Sequence, residues 1–168
     1  MKKRTLAAFM LLAVFACDAF AATLAGRVVR VSDGDTVTVL TAENRQFKIR
    51  LSGIDAPEKK QPFGARSKET LSRQIFGQAV TVEWSKTDRY GRIVGKIEID
   101  GVDANLEQVR EGSAWVYTQY LRELPAADRK LYLQAERQAQ DERRGLWRDN
   151  DPEPPWQWRH ERRPPKRG

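Results

Sequence analysis

The chain has 168 residues, 40% hydrophobic and 32% charged, with 11 Gly and 8 Pro; these proportions suit one soluble domain and exclude a collagenous or low-complexity chain. Thirty Lys and Arg against 23 Asp and Glu leave a net charge of +7, which favours an anionic partner, nucleic acid or an anionic membrane, over a cationic one. With one Cys and one His the chain cannot build a zinc site of Cys and His ligands, a disulfide framework or a Cys–His catalytic pair, so any metal must be held by oxygen.

Residues 1–21 read as an export signal. Lys2, Lys3 and Arg4 precede the apolar run Leu6 to Ala16, and Ala19-Phe20-Ala21 has the small-x-small form of a cleavage site, so cleavage is expected after Ala21 and the product is expected in the periplasm or outside the cell. The run is too short to span a hydrocarbon core of about 30 Å, so no stable membrane association is expected. The alternative is lipidation at Cys17, after Val14-Phe15-Ala16, which would tether the product to a membrane. Cleavage removes the only Cys. It also removes three of the basic residues, while Trp156 to Gly168 holds five basic residues and one acid. The body between them is therefore nearly neutral and must bind a polyanion through locally placed cations, with the tail adding a diffuse attraction that salt screens.

Leu24 to Val31, Asp35 to Leu40 and Arg45 to Ser52 alternate and are rich in β-branched residues, and each reads as a strand. Ser67 to Phe76 reads as a helix stopped by Gly77, because Leu71 and Ile75 share a face. Ala79 to Lys86 and Arg92 to Ile99 are strands four and five, joined by Thr87-Asp88-Arg89-Tyr90-Gly91, a loop of hairpin length. Val102 to Glu111 and Ala126 to Arg144 have helical spacing and end at Gly112 and Gly145. This order predicts an α+β protein, mainly β: a five-stranded OB-fold barrel with a helix between strands three and four and two C-terminal helices. The expected organisation is a signal at 1–21, a barrel domain at 22–148 and a tail at 149–168. The tail carries five of the prolines, two Trp and many Arg. It lacks the apolar content for a core of its own and reads as mobile or loosely docked.

Three segments of the barrel carry chemistry. Asp33-Gly34-Asp35-Thr36 puts two carboxylates at i and i+2, although Asp-Gly is equally a common hairpin turn. In Arg50-Leu51-Ser52-Gly53-Ile54-Asp55-Ala56-Pro57-Glu58 two acids flank a stiffening proline near an arginine; a solvated ion pair on a surface loop would look the same. Asp88-Arg89-Tyr90-Gly91-Arg92 is either part of a site or a charged hairpin tip. Ala114-Trp115-Val116-Tyr117 and Gly145-Leu146-Trp147 follow downstream.

Taken in order from about Ala25 to Trp147, these five segments resemble the thermonuclease family, the staphylococcal nuclease-like (SNase) fold. The resemblance implies an OB barrel that hydrolyses phosphodiesters of DNA and RNA with one Ca²⁺ and leaves 3′-phosphates, working as a monomer. It makes Asp35 and Asp55 the calcium carboxylates and the main-chain carbonyl of Ala56 a further ligand, an oxygen set that Ca²⁺ accepts. Asp33 falls beside these ligands rather than among them. Glu58 matches the general base, and Arg50 and Arg92 match the arginines that clamp the phosphoryl group. Arg89, Tyr90, Trp115 and Tyr117 match substrate-binding positions. Two departures stand out: Ala56 where the family usually has Thr, and Trp115 where it usually has Tyr; a carbonyl ligand survives the first, and a Trp can still stack on a base. For Trp115 and Tyr117 core packing is the competing role. A non-catalytic nucleic-acid-binding module is the alternative for the whole chain. A degraded site would lack some of Asp35, Arg50, Asp55, Glu58 and Arg92, and all five are present. An envelope-bound adaptor using the basic tail is a third reading.

Overall fold

The computed structural model describes residues 22–162. The expected signal segment, with Cys17, lies outside the described residues. Among those described, no helix is long and apolar enough to cross a membrane.

Five long strands form the barrel: β1 (Ala22–Val31), β2 (Thr36–Leu40), β3 (Gln46–Leu51), β5 (Ala79–Thr87) and β6 (Ile93–Ile99). They run in the order β3-β2-β1-β5-β6, antiparallel throughout until β3 and β6 close the ring as a parallel pair, Ile49 opposite Ile93 and Leu51 opposite Gly95. The alternating strands send Val28, Val37, Val39, Ile49, Val82 and Ile97 inward, all fully buried. Asn105 fastens the closing seam. Its side chain accepts from Ile97 N–H (3.1 Å) and donates to the carbonyls of Ser52 (3.0 Å) and Gly95 (3.2 Å), so a fully buried amide ties the backbone of β6 to the residue that follows β3 where the ring closes.

Shorter pieces complete the fold: β4 (Ile54–Asp55) pairs with β8 (Trp115–Val116), and β7 (Val102–Asp103) pairs with β6. Helix α1 (Gly64–Ile75) seals the barrel with Leu71 and Ile75; α2 (Ala104–Arg110) and α3 (Ala126–Asp141) pack outside it, burying Leu106, Val109, Tyr132 and Ala135. The expected helix at Val102 starts two residues later because Val102 and Asp103 are used as strand, and the Asp103 side chain then caps α2 by accepting from Leu106 N–H. Helix α3 stops at Asp141 rather than Arg144. Arg143 turns left-handed and Gly145 follows it with φ 53° into a short 3-10 turn, Gly145–Arg148.

The tail is the main departure from the sequence reading. Residues 149–162 are docked rather than mobile or loosely held, and Pro155–Glu161 forms a helix, α4. The segment needs no core of its own because it borrows one: Pro155 is buried, Trp156 lies against Trp115 and Tyr117, and Gln61 donates to the Glu153 carbonyl (2.6 Å).

Candidate active site

The turn between β1 and β2 carries Asp33 and Asp35. The Asp33 carboxylate accepts the Asp35 N–H (3.2 Å), an Asx-type contact that fixes the turn, and the Asp35 carbonyl accepts from Leu51 N–H (2.8 Å) to hold it on β3. The Asp35 carboxylate is buried and anchored at both oxygens, one accepting from the Thr36 hydroxyl (3.0 Å), the other from Ala56 N–H (2.7 Å). That second bond joins the β1–β2 turn to the loop after β4.

Asp55 ends β4 and is fully buried. Arg50, on β3, reaches both acids through Nη2, at 2.8 Å from Asp55 and 3.3 Å from Asp35; its Nη1 donates to the carbonyls of Leu51 and Ile54, each at 2.9 Å. Two carboxylates thus converge on one guanidinium nitrogen, and the backbone holds that guanidinium in place. Glu58, three residues on, is far more open, with a side chain 40% exposed. Its own N–H donates to the Gln61 side chain (3.0 Å), which steadies the loop.

Arg92 opens β6 from the β5–β6 hairpin. Its Nε donates to Asp88 (2.7 Å) and its Nη1 reaches the Thr36 hydroxyl (3.5 Å), one residue from Asp35. Burial of the Asp88 carboxyl is outweighed by hydrogen bonds from the Arg92 and Tyr90 backbone and the Arg92 side chain, which hold it below its ordinary range. Tyr90 is well exposed, with Arg89 and Arg92 guanidinium groups 5.0 and 5.6 Å from its ring centre. Tyr117 lies beyond β8, and burial, with the nearby Asp55 charge, pushes its phenol up. Trp115 meets Trp147 edge-on with ring centres 4.2 Å apart, so it serves packing, and its backbone stands opposite Asp55 where β8 pairs with β4. The structure therefore brings Asp35, Asp55, Ala56, Arg50 and Glu58 together, joins Arg92 to them through Thr36, and sets Arg89 and Tyr90 further out on the hairpin.

The residue that sequence reasoning missed is Arg159 of α4. Its two terminal nitrogens take Asp55 at 3.2 and 2.7 Å, and Nη1 also donates to Glu58 (2.8 Å). Burial pushes the Asp55 carboxyl up against the opposing pull of Arg159 and Arg50. Burial and the Asp35 charge raise Asp33 to about 6. Such a cluster gains from any further positive charge. Among the described residues no three His, Cys, Asp or Glu side chains form a ready metal cage. The chemistry of the donor set nonetheless suits a hard cation: two buried carboxylates within reach of one nitrogen, and a guanidinium already resting on Asp55 as a cation would.

A closed five-stranded OB barrel with buried acids and arginines gathered at one rim is the class that fold and site define. The family described as staphylococcal nuclease homologue matches residues 48–149. An endonuclease of Escherichia coli, named as uncharacterized, is 45% identical over 154 residues, covering 90% of this chain and 95% of that protein. A similarly named endonuclease of Haemophilus influenzae is 44% identical over 80% of this chain and 72% of its own length, and a micrococcal nuclease of Shigella flexneri is 39% identical over 80% and 79%. The chain belongs to the staphylococcal nuclease homologues.

Proposed function

We propose that this nuclease is an exported, Ca²⁺-dependent monomer that hydrolyses phosphodiester bonds of DNA and RNA, leaving 3′-phosphate and 5′-hydroxyl ends. The observation that supports this best is the convergence of Asp35 and Asp55 on Arg50, with Glu58 at the open edge of the same cluster.

Asp35, Asp55 and the Ala56 carbonyl would hold the ion, and bound Ca²⁺ would supply positive charge to the scissile phosphate. Arg50 and Arg92 offer planar, permanently charged forks to the phosphoryl oxygens, where charge grows as phosphorus becomes five-coordinate. Glu58 takes a proton from the attacking water as the new O–P bond forms; the bond to the 5′-oxygen breaks, and that oxygen takes a proton from solvent. Tyr117 and Trp115 offer aromatic faces to a base, and Arg89 with Tyr90 meets the phosphate at the hairpin side.

The test is turnover of Glu58→Gln on single- and double-stranded DNA and on RNA across a calcium titration, with product ends determined. Removing a general base should cost roughly a hundred- to ten-thousandfold at every calcium concentration while substrate still binds. Recovery to near wild-type turnover at high calcium would make Glu58 a metal ligand instead. Wild-type activity that persists in chelator would refute the metal assignment, and no hydrolysis by the wild type under any condition would return the chain to a binding module.

A further inference from the structure

Helix α4 lies on the groups that the proposed reaction needs free. Arg159 occupies both oxygens of Asp55 and one oxygen of Glu58. One turn earlier, Trp156 stacks on Tyr117 with planes 5° apart and ring centres 5.7 Å apart, and meets Trp115 edge-on at 5.8 Å. Pro155 is buried, and the chain before it is tied down by Gln61, the residue whose side chain also accepts from Glu58 N–H.

These contacts divide into an anionic half and an aromatic half. A guanidinium that bridges Asp55 and Glu58 neutralises the pair as a bound cation would, and Asp55 cannot give the same oxygens to both. An indole parallel to Tyr117 covers the face on which a base would stack. One short segment of the chain therefore resembles, in charge and in shape, the cation and the nucleobase that would enter together.

We propose that the segment Glu153–Glu161 is an intramolecular blocking element: Arg159 stands in the cation's place between Asp55 and Glu58, Trp156 covers the base-stacking face of Tyr117, and Ca²⁺ with nucleic acid displaces both. The inference rests on the calcium-nuclease reading above. Because the blocker is part of the same chain, its local concentration is fixed at a level typical of short tethers, about millimolar. A protein whose competent form is populated at about one part in ten binds its ligand about tenfold more weakly than the open form does. Arg159 is one of the five basic residues of Trp156 to Gly168, a charge that in sequence suggests help in substrate capture; at Asp55 and Glu58 this one cation acts against it.

The experiment compares the full chain with Arg159→Gln and Trp156→Ala, two changes that loosen opposite halves of the contact. Calcium binding is read by calorimetry without nucleic acid, and turnover is read on single-stranded DNA across a calcium titration. Both variants should bind Ca²⁺ more tightly and reach half-maximal turnover at about a tenth of the wild-type calcium, with Trp156→Ala also lowering KM. Wild-type tryptophan emission should shift as calcium and a phosphorothioate oligonucleotide are added together, because Trp156 leaves Tyr117, and Trp156→Ala should lose most of that shift. If the wild type is activated by calcium and both variants match it in calcium binding, the blocking role is overturned while the nuclease reading stands. If Arg159→Gln lowers turnover at saturating calcium without changing calcium affinity, Arg159 serves the reaction and the blocking role is again overturned. If neither wild type nor variants bind calcium, the failure belongs to the metal assignment.

Discussion

Gln108 is a sharp test of how the barrel holds its acidic turn. It lies on α2, fully buried, and its side-chain N–H groups donate to the carbonyl of Gly34 in the β1–β2 turn (2.8 Å) and to that of Ser67 on α1 (3.3 Å). Gly34 sits between Asp33 and Asp35, so one amide ties the candidate metal-binding turn to two helices. Gln108→Met keeps length and flexibility but removes both donors. Two net hydrogen bonds are worth about 0.5–1.5 kcal/mol each, and a buried carbonyl left without a donor costs about 1–3 kcal/mol. These terms overlap, so the expected loss is about 2–3 kcal/mol, lessened slightly by the apolar gain of Met. Urea unfolding should show a lower midpoint at unchanged slope. The exposed Gln134 on α3 provides the control, since Gln134→Met should move stability by less than about 0.5 kcal/mol. Calcium affinity should fall with Gln108→Met alone, because Asp35 follows Gly34. A loss below about 0.5 kcal/mol at Gln108 would mean that the Gly34 carbonyl finds another donor, and the idea that α2 positions the turn would be wrong.

Gly34→Ala should also destabilise, by about 1–3 kcal/mol in urea unfolding, because an added Cβ would fall 1.8 Å from the Ser67 hydroxyl oxygen, which is itself committed to the Ser113 carbonyl at 2.6 Å; wild-type stability would show that Ser67 can swing away freely. Arg50→Lys keeps the charge but loses the fork that meets Asp55 and two carbonyls at once, so steady-state turnover should fall about a hundred- to a thousandfold, whereas an ordinary surface pair would lose almost nothing. Glu136 accepts from Val116 N–H, and burial pushes its carboxyl up from the ordinary value. The folded protein therefore holds that proton more tightly than the unfolded chain; the resulting stability is present below the unfolded value and lost as pH rises through the higher folded one. Glu136→Gln keeps the acceptor without the charge, so its Tm relative to wild type should rise between about pH 4 and pH 7. Equal differences at both ends would refute the shift.

The five strands were legible because each carries apolar residues close to period two, most are rich in β-branched residues, and turn residues stand between them; the bulges in β1 and β5 interrupt the alternation only locally. The acids and arginines could be picked out as candidates, but their meeting depends on barrel closure. Asp35 and Asp55 share Arg50 only because β2 pairs with β3, where Thr36 stands opposite Arg50. Family resemblance supplied what local pattern could not. Helix α4 escaped for a different reason. A segment rich in Pro and Arg shows no apolar period, and its anchors are partners about a hundred residues away in sequence. One local sign was available: Pro155 at the first helical position, followed by a run without Gly or Pro through Arg162.

Where the chain turns from α3 toward the tail, it crosses the end of α2 with main chain against main chain. Leu146 N–H donates to the Gly112 carbonyl (2.8 Å), and a Cβ at Gly145 would lie 2.2 Å from that same oxygen, while one at Gly112 would lie 2.3 Å from the Arg144 carbonyl. Both glycines also have positive φ, 61° at Gly112 and 53° at Gly145. The obstacles are peptide atoms, so no second substitution can make room in the way that trimming a neighbouring side chain would. Any change to the segment beyond Trp147 therefore plays out from a fixed pivot. The crossing is a pinch point in sequence space: leaving either glycine destabilises at once, and relief must come from stability gained elsewhere rather than from a neighbour giving way.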